Sequence, residues 1–233
     1  MESNKKWTPE RLKEIGNGFE GKDPKDVIKW AIGEFLSSIT LACSFGAEDV
    51  ALVDMVVKVN PDTNIFYLDT NVLFKETYEV RDRLIKKYGV SPVKYQSSIT
   101  LEEQAEKYGD KLWEKNPGEC CKIRKIGPLR SALKRFDAWI TGIRRDQAPT
   151  RANAGIVEWD NAFGLVKINP LAAWTSEDVW DYIKENEVPY NVLHDRNYPS
   201  IGCEHCTNPV MPGEDPRAGR WAGFKKTECG LHE

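Results

Sequence analysis

The chain has 233 residues, 40% of them hydrophobic and 30% charged, and a formal net charge of -3 at pH 7. A chain of this length can bury a full core without disulfide staples, so we expect one domain over residues 1–233. The slightly acidic balance argues against bulk nucleic-acid binding, and no stretch approaches the ~20 apolar residues of a membrane span. Because residues 1–10 are polar, we expect no signal peptide and a cytoplasmic location.

Strands and helices alternate along the sequence. Periodicity and Gly/Pro punctuation predict a strand at 38–45, a helix at 47–59, a strand at 64–70, a helix at 75–88, a strand at 93–96, helices at 101–114 and 128–136, strands at 138–143 and 166–168, and a helix from the N-cap Thr175 to about residue 187. This order predicts an α/β fold with a mostly parallel, twisted sheet and helices on both faces. The fold of residues 117–128 stays open, including whether Gly127-Pro128 separates two short helices.

The loop after the first predicted strand, residues 43–49, reads Cys-Ser-Phe-Gly-Ala-Glu-Asp. Gly46 would let the backbone approach a ligand, and the free amides of the following helix suit a phosphate. Every such strand-to-helix unit needs a turn here, so the loop alone is weak evidence. Leu68 and Thr70, at the end of the next strand, are candidates to meet a ribose or a base. Cys43 is expected to be a small buried strand residue.

Four of the six cysteines form two close pairs, Cys120-Cys121 and Cys203-x-x-Cys206. Structural zinc favours two C-x-x-C pairs around one ion, and adjacent cysteines project in different directions and fit one ion poorly. In a 4Fe–4S cube, neighbouring thiolates can each bind a separate iron. The pattern therefore favours an iron–sulfur cluster over zinc, with merely buried thiols or a redox disulfide as the remaining alternative.

Cys229 lies in the motif Lys-Lys-Thr-Glu-Cys-Gly-Leu-His at residues 225–232. A reactive cysteine needs thiolate character and access. The two lysines favour the thiolate, Glu228 opposes it, and Gly230 leaves the sulfur uncrowded. Gly, Pro and charged residues over 211–220 predict a flexible tail, 207–233, that carries Cys229 as the catalytic nucleophile. The alternative is an incidental terminal thiol.

Six segments resemble the assimilatory sulfonucleotide reductases, and they cover the chain from about residue 40 to its end in the family's order. They are residues 44–49, 68–70, 119–125, 141–147, 201–206 and 228–232. The combination of tandem cysteines, C-x-x-C and Glu-Cys-Gly-Leu-His is specific to the iron–sulfur branch, the adenylyl-sulfate (APS) reductases of bacteria. Cys43 and Phe45 stand where some relatives carry hydroxyls, so the backbone would hold phosphate there.

The resemblance implies a fold like that of the adenine-nucleotide α-hydrolases and a two-step reaction. Cys229 would attack the sulfur of APS, expel AMP and form an S-sulfocysteine, from which thioredoxin or a similar dithiol carrier would release sulfite. One [4Fe–4S] cluster on the four paired cysteines would act electrostatically and structurally. The implied substrate-binding residues are Ser44, Phe45, Gly46, Asp49, Leu68, Thr70, Lys125, Gly142, Arg144, Arg151, Arg217, Arg220 and His232.

Three alternatives remain at this point. A reductase of the 3′-phosphorylated nucleotide PAPS, or of both nucleotides, is the nearest, although relatives of that type typically lack the cluster cysteines. An ATP-pyrophosphatase-type thiolation enzyme would usually carry a Ser-Gly-Gly-x-Asp-Ser loop, which is absent here. An iron–sulfur redox sensor would not need Cys229 on a tail. The sequence leaves open the oligomeric state, a homo-oligomer included, the redox potential of the cluster and the choice of thioredoxin.

Overall fold

Two helices that the sequence patterns did not reveal begin the described part of the chain. The structure, a computed structural model, describes residues 6–226 and 228–231. Helices α1 (Pro9–Gly18) and α2 (Pro24–Phe35) each start with a proline in the first turn, behind the side-chain caps Thr8 and Asp23. Proline and a capping oxygen are the ordinary signals of a helix start. These local signals could therefore have revealed both helices.

The remaining elements follow the predicted alternation. In chain order they are β1 (Ile39–Ala42), α3 (Ala47–Val59), β2 (Asn64–Asp69), α4 (Lys75–Tyr88), β3 (Val93–Gln96), α5 (Leu101–Tyr108), α6 (Leu112–Lys115), α7 (Pro117–Cys121), α8 (Gly127–Leu133), β4 (Ala138–Ile140), β5 (Val157–Asp160), β6 (Leu165–Ile168) and α9 (Ser176–Glu185). Within the described ranges no helix is long and apolar enough to cross a membrane.

The six strands form one sheet in the order β3-β2-β1-β4-β6-β5. All neighbours are parallel except the unforeseen edge strand β5, which runs antiparallel to β6. The prediction of a mostly parallel sheet is confirmed. After β1 the chain adds β2 and β3 on one side and then returns to place β4 on the other. Ligands of open α/β sheets bind beside such a reversal, beyond the carboxyl ends of the strands.

Apolar side chains cover both faces of the sheet. One cluster joins Ile65 of β2 and Ile140 of β4 to helices α1, α2, α3, α4 and α9. The other joins the alternate residues Phe66 and Trp139 to α8. Successive strand residues point to opposite faces, so this alternation is what a sheet with helices on both sides requires. The predicted two-sided covering is confirmed.

The predicted single helix at 101–114 is wrong, because the chain forms two helices there. Gly109 ends α5 with a φ of 84°, and Lys111 at the start of α6 has a φ of 52°. Positive φ angles are incompatible with a continuing right-handed helix. The predicted strand at 138–143 is also shorter, since regular pairing ends at Ile140.

Gly127-Pro128, whose role the sequence leaves open, does not separate two helices. Residues 117–133 form one continuous helix that contains a π-helical segment, Lys122–Ile126, between α7 and α8. The amide of Gly127 donates to the carbonyl of Lys122, five residues earlier. Inside an α-helix, Pro128 would clash with the carbonyl four residues before it. The wider turn immediately before the proline relieves this clash, so the helix continues.

The C-terminal segment is irregular but packed. Thr207 pairs with Arg220 in an isolated antiparallel bridge, and the amide of Trp221 donates to the carbonyl of Cys206. The indole of Trp221 is buried. These contacts fix how the segment lies against the domain; the mobility of residues 207–233 in solution stays a prediction.

Candidate active site

One cavity of about 650 Å³ opens at the carboxyl ends of β1, β2 and β4. Its wall combines the loops after these strands with α9 and the C-terminal segment. Cys229 lines it, together with every predicted substrate-binding residue except His232: Ser44, Phe45, Gly46, Asp49, Leu68, Thr70, Lys125, Gly142, Arg144, Arg151, Arg217 and Arg220. His232 lies outside the described residues. Residues from distant parts of the sequence are thus brought to one site; their binding role stays a prediction.

The loop between β1 and α3 is closed by its own aspartate. The amide and the hydroxyl of Ser44 both donate to Oδ2 of Asp49, each at 2.6 Å, and Phe45 takes a φ of 63°. Burial raises the pKa of Asp49 to about 6, although the hydrogen bonds from Ser44 oppose the rise. Gly142 lies directly against this carboxylate, where a Cβ would overlap Oδ1 of Asp49. A side chain at this position would therefore displace the loop.

Arg144 lines the cavity, but its charge is already matched. Its Nε and Nη2 donate to Oε1 of Glu48 at 3.0 and 2.9 Å, and its Nη1 pairs with Asp146. The guanidinium is almost fully buried. Two carboxylates around one guanidinium therefore already match the charge of Arg144. No local sequence pattern indicates this pairing, because Glu48 lies 96 residues before Arg144.

The tail forms another part of the cavity wall. Glu228 is buried, and its Oε1 accepts from Nε of Arg151 at 2.8 Å and from Thr150 Oγ1 at 3.1 Å. Its Oε2 accepts from Nη2 of Arg151 at 2.8 Å and from Nη2 of Arg217 at 3.2 Å. The next residue, Cys229, is half-buried with a free thiol.

Lys125 and Arg220 line the same cavity as Cys229. Burial would lower the pKa of Lys125, but the neighbouring thiols, Cys203 foremost and Cys229 next, outweigh it and raise that pKa. Arg220 lies 4.5 Å from the ring of Trp221 and donates to the hydroxyl of Ser200 at 3.1 Å. Gly202 makes room for it, because a Cβ there would overlap Nη2 of Arg220. Two cations therefore share this cavity with the half-buried thiol.

The four paired cysteines line a second, smaller cavity next to the first. Cys120 and Cys121 come from the end of α7, and Cys203 and Cys206 from the turn after the loop at residues 197–202. All four are free thiols. Lys125 and Trp221 line both cavities, so they form part of the wall between them.

Two further features support this second cavity. The imidazole of His205 stacks on Trp113 with the ring centroids 4.4 Å apart, and both rings line the cavity. The buried Arg124 of the π-helical segment donates to Gln104 at 2.7 Å and to Asn71 at 3.2 Å. Among residues 6–226 and 228–231, no group of three or more His, Cys, Asp or Glu side chains is placed to hold a single metal ion.

Sequence reasoning missed several residues of the main cavity. Trp180, Tyr190 and His194 line it beside α9, and the rings of Trp180 and His194 meet edge-to-face at 5.0 Å. Burial lowers the pKa of His194. The apolar face of α9 pointed to Trp180, but nothing in the sequence pointed to the other two.

Comparison with known proteins gives a consistent assignment. Residues 38–209 match the family model described as the phosphoadenosine phosphosulfate reductase domain. The chain is 51% identical to the adenosine 5'-phosphosulfate reductase of Halalkalibacterium halodurans, over 95% of this chain and 96% of that protein. It is 50% identical to adenosine 5'-phosphosulfate reductase 1 of Bacillus subtilis, over 91% of each chain.

A solved structure agrees with these relatives. The crystal structure of phosphoadenylyl-sulfate (PAPS) reductase from Candida auris, a phosphate complex, superposes with a TM-score of 0.77 at 31% identity. The match covers 88% of this chain and 98% of that one. The fold is therefore that of a PAPS reductase.

Proposed function

The chain belongs to the phosphoadenosine phosphosulfate reductase family, and we propose that it reduces adenosine 5′-phosphosulfate (APS) to sulfite and AMP. The observation that carries the proposal is the position of Cys229. This half-buried free thiol lines the same cavity as Lys125, Arg217 and Arg220. One cavity is thus lined by a thiol, which suits sulfur chemistry, and by cations, which suit an anionic substrate. The cavity lies at the carboxyl ends of the strands, where open α/β sheets bind ligands.

The groups that line the cavity suit the two parts of a sulfonucleotide. Cys229 must reach the sulfate, so the sulfate lies by the tail, and the nucleoside lies by the strand ends. At the strand ends, the backbone after Ser44 and the residues Leu68, Thr70 and Gly142 offer amides and carbonyls to the ribose and base. Lys125 and Arg220 line the cavity together with Cys229, and their positive charges suit the phosphate and sulfate groups of the substrate.

In the first step, the Cys229 thiolate attacks the sulfur of APS. A bond forms between Sγ and that sulfur, the bond from the sulfur to the bridging phosphate oxygen breaks, and AMP leaves with the electron pair. The product is an S-sulfocysteine at position 229. Covalent catalysis of this kind divides one difficult reduction into two easier steps.

In the second step, a dithiol carrier such as thioredoxin reduces the adduct. One carrier thiolate attacks Sγ, the bond between the two sulfurs breaks, and its electron pair leaves with sulfite. The second carrier thiol then resolves the mixed disulfide, which returns Cys229 and leaves the carrier oxidised. The two electrons of the reduction thus come from the carrier, whose thiols stay reduced in the cytosol.

Cys120, Cys121, Cys203 and Cys206 are the residues that would hold a [4Fe–4S] cluster. The donor set fits that group: four free thiols border one cavity, while the described residues offer no convergent single-ion site. A cube binds each thiolate at a separate iron, so its ligands need not converge on one point. When bound, the cluster would supply a fixed charge and a structural link beside Lys125. The His205–Trp113 stack would cover one side of it.

PAPS is the second candidate substrate, because the Candida auris relative is named for it. The bacterial relatives named for APS are more similar, at 50–51% identity against 31%. The greater similarity to the relatives named for APS therefore favours the substrate without the 3′-phosphate.

The decisive assay is sulfite release with thioredoxin, comparing APS with PAPS. Cys229→Ser is expected to abolish sulfite formation and to keep four irons and four labile sulfides per chain. Cys43→Ala removes the other thiol of the cavity, outside the cluster set, and is expected to keep most of the activity. Full turnover by Cys229→Ser would refute the nucleophile, one zinc without iron would refute the cluster, and equal rates would broaden the substrate to both nucleotides.

A further inference from the structure

The cations around Cys229 fall into two groups. Arg151 and Arg217 are paired with the carboxylate of Glu228, whereas Lys125 and Arg220 contact no carboxylate within hydrogen-bonding distance in the described part of the chain. Because Glu228 immediately precedes the nucleophile, this pairing concerns the tail itself. The sequence resemblance had assigned all four cations to the substrate.

The ion pairs of Glu228 with Arg151 and Arg217 are largely buried, unlike ion pairs at the protein surface. Glu228 is 8% exposed, and the side chains of Arg151 and Arg217 are 12% and 17% exposed. Arg151 donates through Nε and Nη2 to both carboxylate oxygens, which is the bidentate geometry that fixes orientation most strongly. Thr150 adds a hydroxyl donor to Oε1. Burial would raise the pKa of Glu228, but the two arginines outweigh it and hold that pKa below its usual value.

The ion pairs of Glu228 restrict the position of the Cys229 thiol. Consecutive Cα atoms lie about 3.8 Å apart, so a fixed Glu228 confines the thiol of Cys229 to the mouth of the cavity. There it lines the same cavity as Lys125 and Arg220.

We propose that Glu228 is a positioning residue, which latches the catalytic tail onto Arg151 and Arg217 and so presents Cys229 to a substrate held by Lys125 and Arg220. This inference rests on the proposed sulfonucleotide reduction but can be tested apart from it. Release of the latch lets the tail leave the cavity, which the second step requires when a carrier protein must reach the sulfur of residue 229.

The test compares the wild type with Glu228→Gln, Glu228→Asp and Arg151→Ala. In the substrate-free protein we measure iodoacetamide labelling of Cys229, quantified by mass spectrometry on the tail peptide, and tryptic cleavage after Lys225 and Lys226. Loss of a charged, buried hydrogen-bonded pair is expected to speed both by roughly tenfold or more in Glu228→Gln. Glu228→Asp keeps the charge and is expected to give an intermediate rate.

Arg151→Ala separates anchoring from a direct charge effect on the thiol. Removing a cation disfavours the thiolate, so a pure charge effect would slow the labelling, whereas loss of the anchor speeds it. Glu185→Gln, at the exposed end of α9, is the matched control and is expected to keep wild-type rates. With APS, Glu228→Gln is expected to lower kcat by roughly tenfold or more with little change in KM.

Unchanged labelling and cleavage in Glu228→Gln would overturn the latch. Tighter AMP binding with an unchanged kcat would also overturn it, because Glu228 would then be competing with the substrate for the arginines. If the wild type releases no sulfite from APS, the proposed function fails, but the labelling and cleavage rates still test the latch. Thermal unfolding of each variant separates a loosened tail from an unfolded domain.

Discussion

Gly142→Ala tests whether the floor of the cavity depends on a close backbone approach. The added Cβ would overlap Oδ1 of Asp49 and lie 2.9 Å from the Cβ of Glu48. The aspartate cannot swing away freely, because its other oxygen holds the amide and the hydroxyl of Ser44 at 2.6 Å. Relief of the overlap therefore needs either a shift of the start of α3 or the loss of these hydrogen bonds.

Both routes have a known cost. Overpacking a well-packed site costs about 1–3 kcal/mol, and a hydrogen bond to a charged group is worth about 1.5–3 kcal/mol. We expect Gly142→Ala to destabilise the protein by about 2 kcal/mol. For a chain of this size that corresponds to a fall in Tm of roughly 4–8 °C. AMP binding should weaken as well, since the moved loop forms the nucleoside end of the cavity.

The assay is thermal unfolding with and without AMP, with Gly33→Ala as the matched control. Gly33 lies inside α2, and a Cβ there would meet nothing within 4 Å. Alanine in place of a helical glycine is expected to stabilise the control by about 0.5–1 kcal/mol. A Gly142→Ala protein with the wild-type Tm and the wild-type AMP affinity would refute the close-approach reasoning.

Two further predictions follow from the same cavity. Burial raises the pKa of Asp49 to about 6, so the stability that this group contributes is fully present below its unfolded pKa of about 3.9 and is lost as the pH rises through 6. The stability of the wild type relative to Asp49→Asn should therefore fall by about 3 kcal/mol between about pH 3 and pH 7. Urea unfolding at several pH values measures this, and a constant difference would contradict it. Gly202→Ala should push the guanidinium of Arg220 away from Ser200 and raise the KM for APS by roughly tenfold. The Tm should change little, because the flexible side chain of Arg220 can move aside. An unchanged KM would show that Arg220 does not bind the substrate.

Local signals were enough to predict most of the sheet and its covering. The apolar runs around Leu41 and Tyr67 end at turn-forming residues, and the alternating helices leave few arrangements other than a parallel sheet. The short edge strand β5 could not be predicted, because its four residues, two of them acidic, show no clear alternation of apolar and polar side chains. Gly109 was a visible break in the helix at 101–114, but its positive φ is a property of the folded chain.

The partners of the charged residues could not be predicted from the sequence. Arg144 and Arg151 were both candidates to hold the substrate, yet the fold pairs them with Glu48 and Glu228, which lie 96 and 77 residues away. An ion pair between distant residues depends on how strands and loops are assembled, and no local pattern records it. Sequence motifs therefore identified which residues meet at the site more reliably than which of them are free to bind.

The π-helical segment Lys122–Ile126 has a consequence for how the chain can evolve. Its wide turn holds one more residue than an α-helical turn, and each residue of an α-helix advances the chain by about 100°. A deletion of one residue there would restore the α-helical form and rotate Cys120 and Cys121 relative to Leu129 and Leu133, which are fixed in the core. The segment can accept substitutions at its exposed residue, Lys122, but no change of length. Relatives that keep the tandem cysteines should therefore show no insertions or deletions between Cys121 and Pro128.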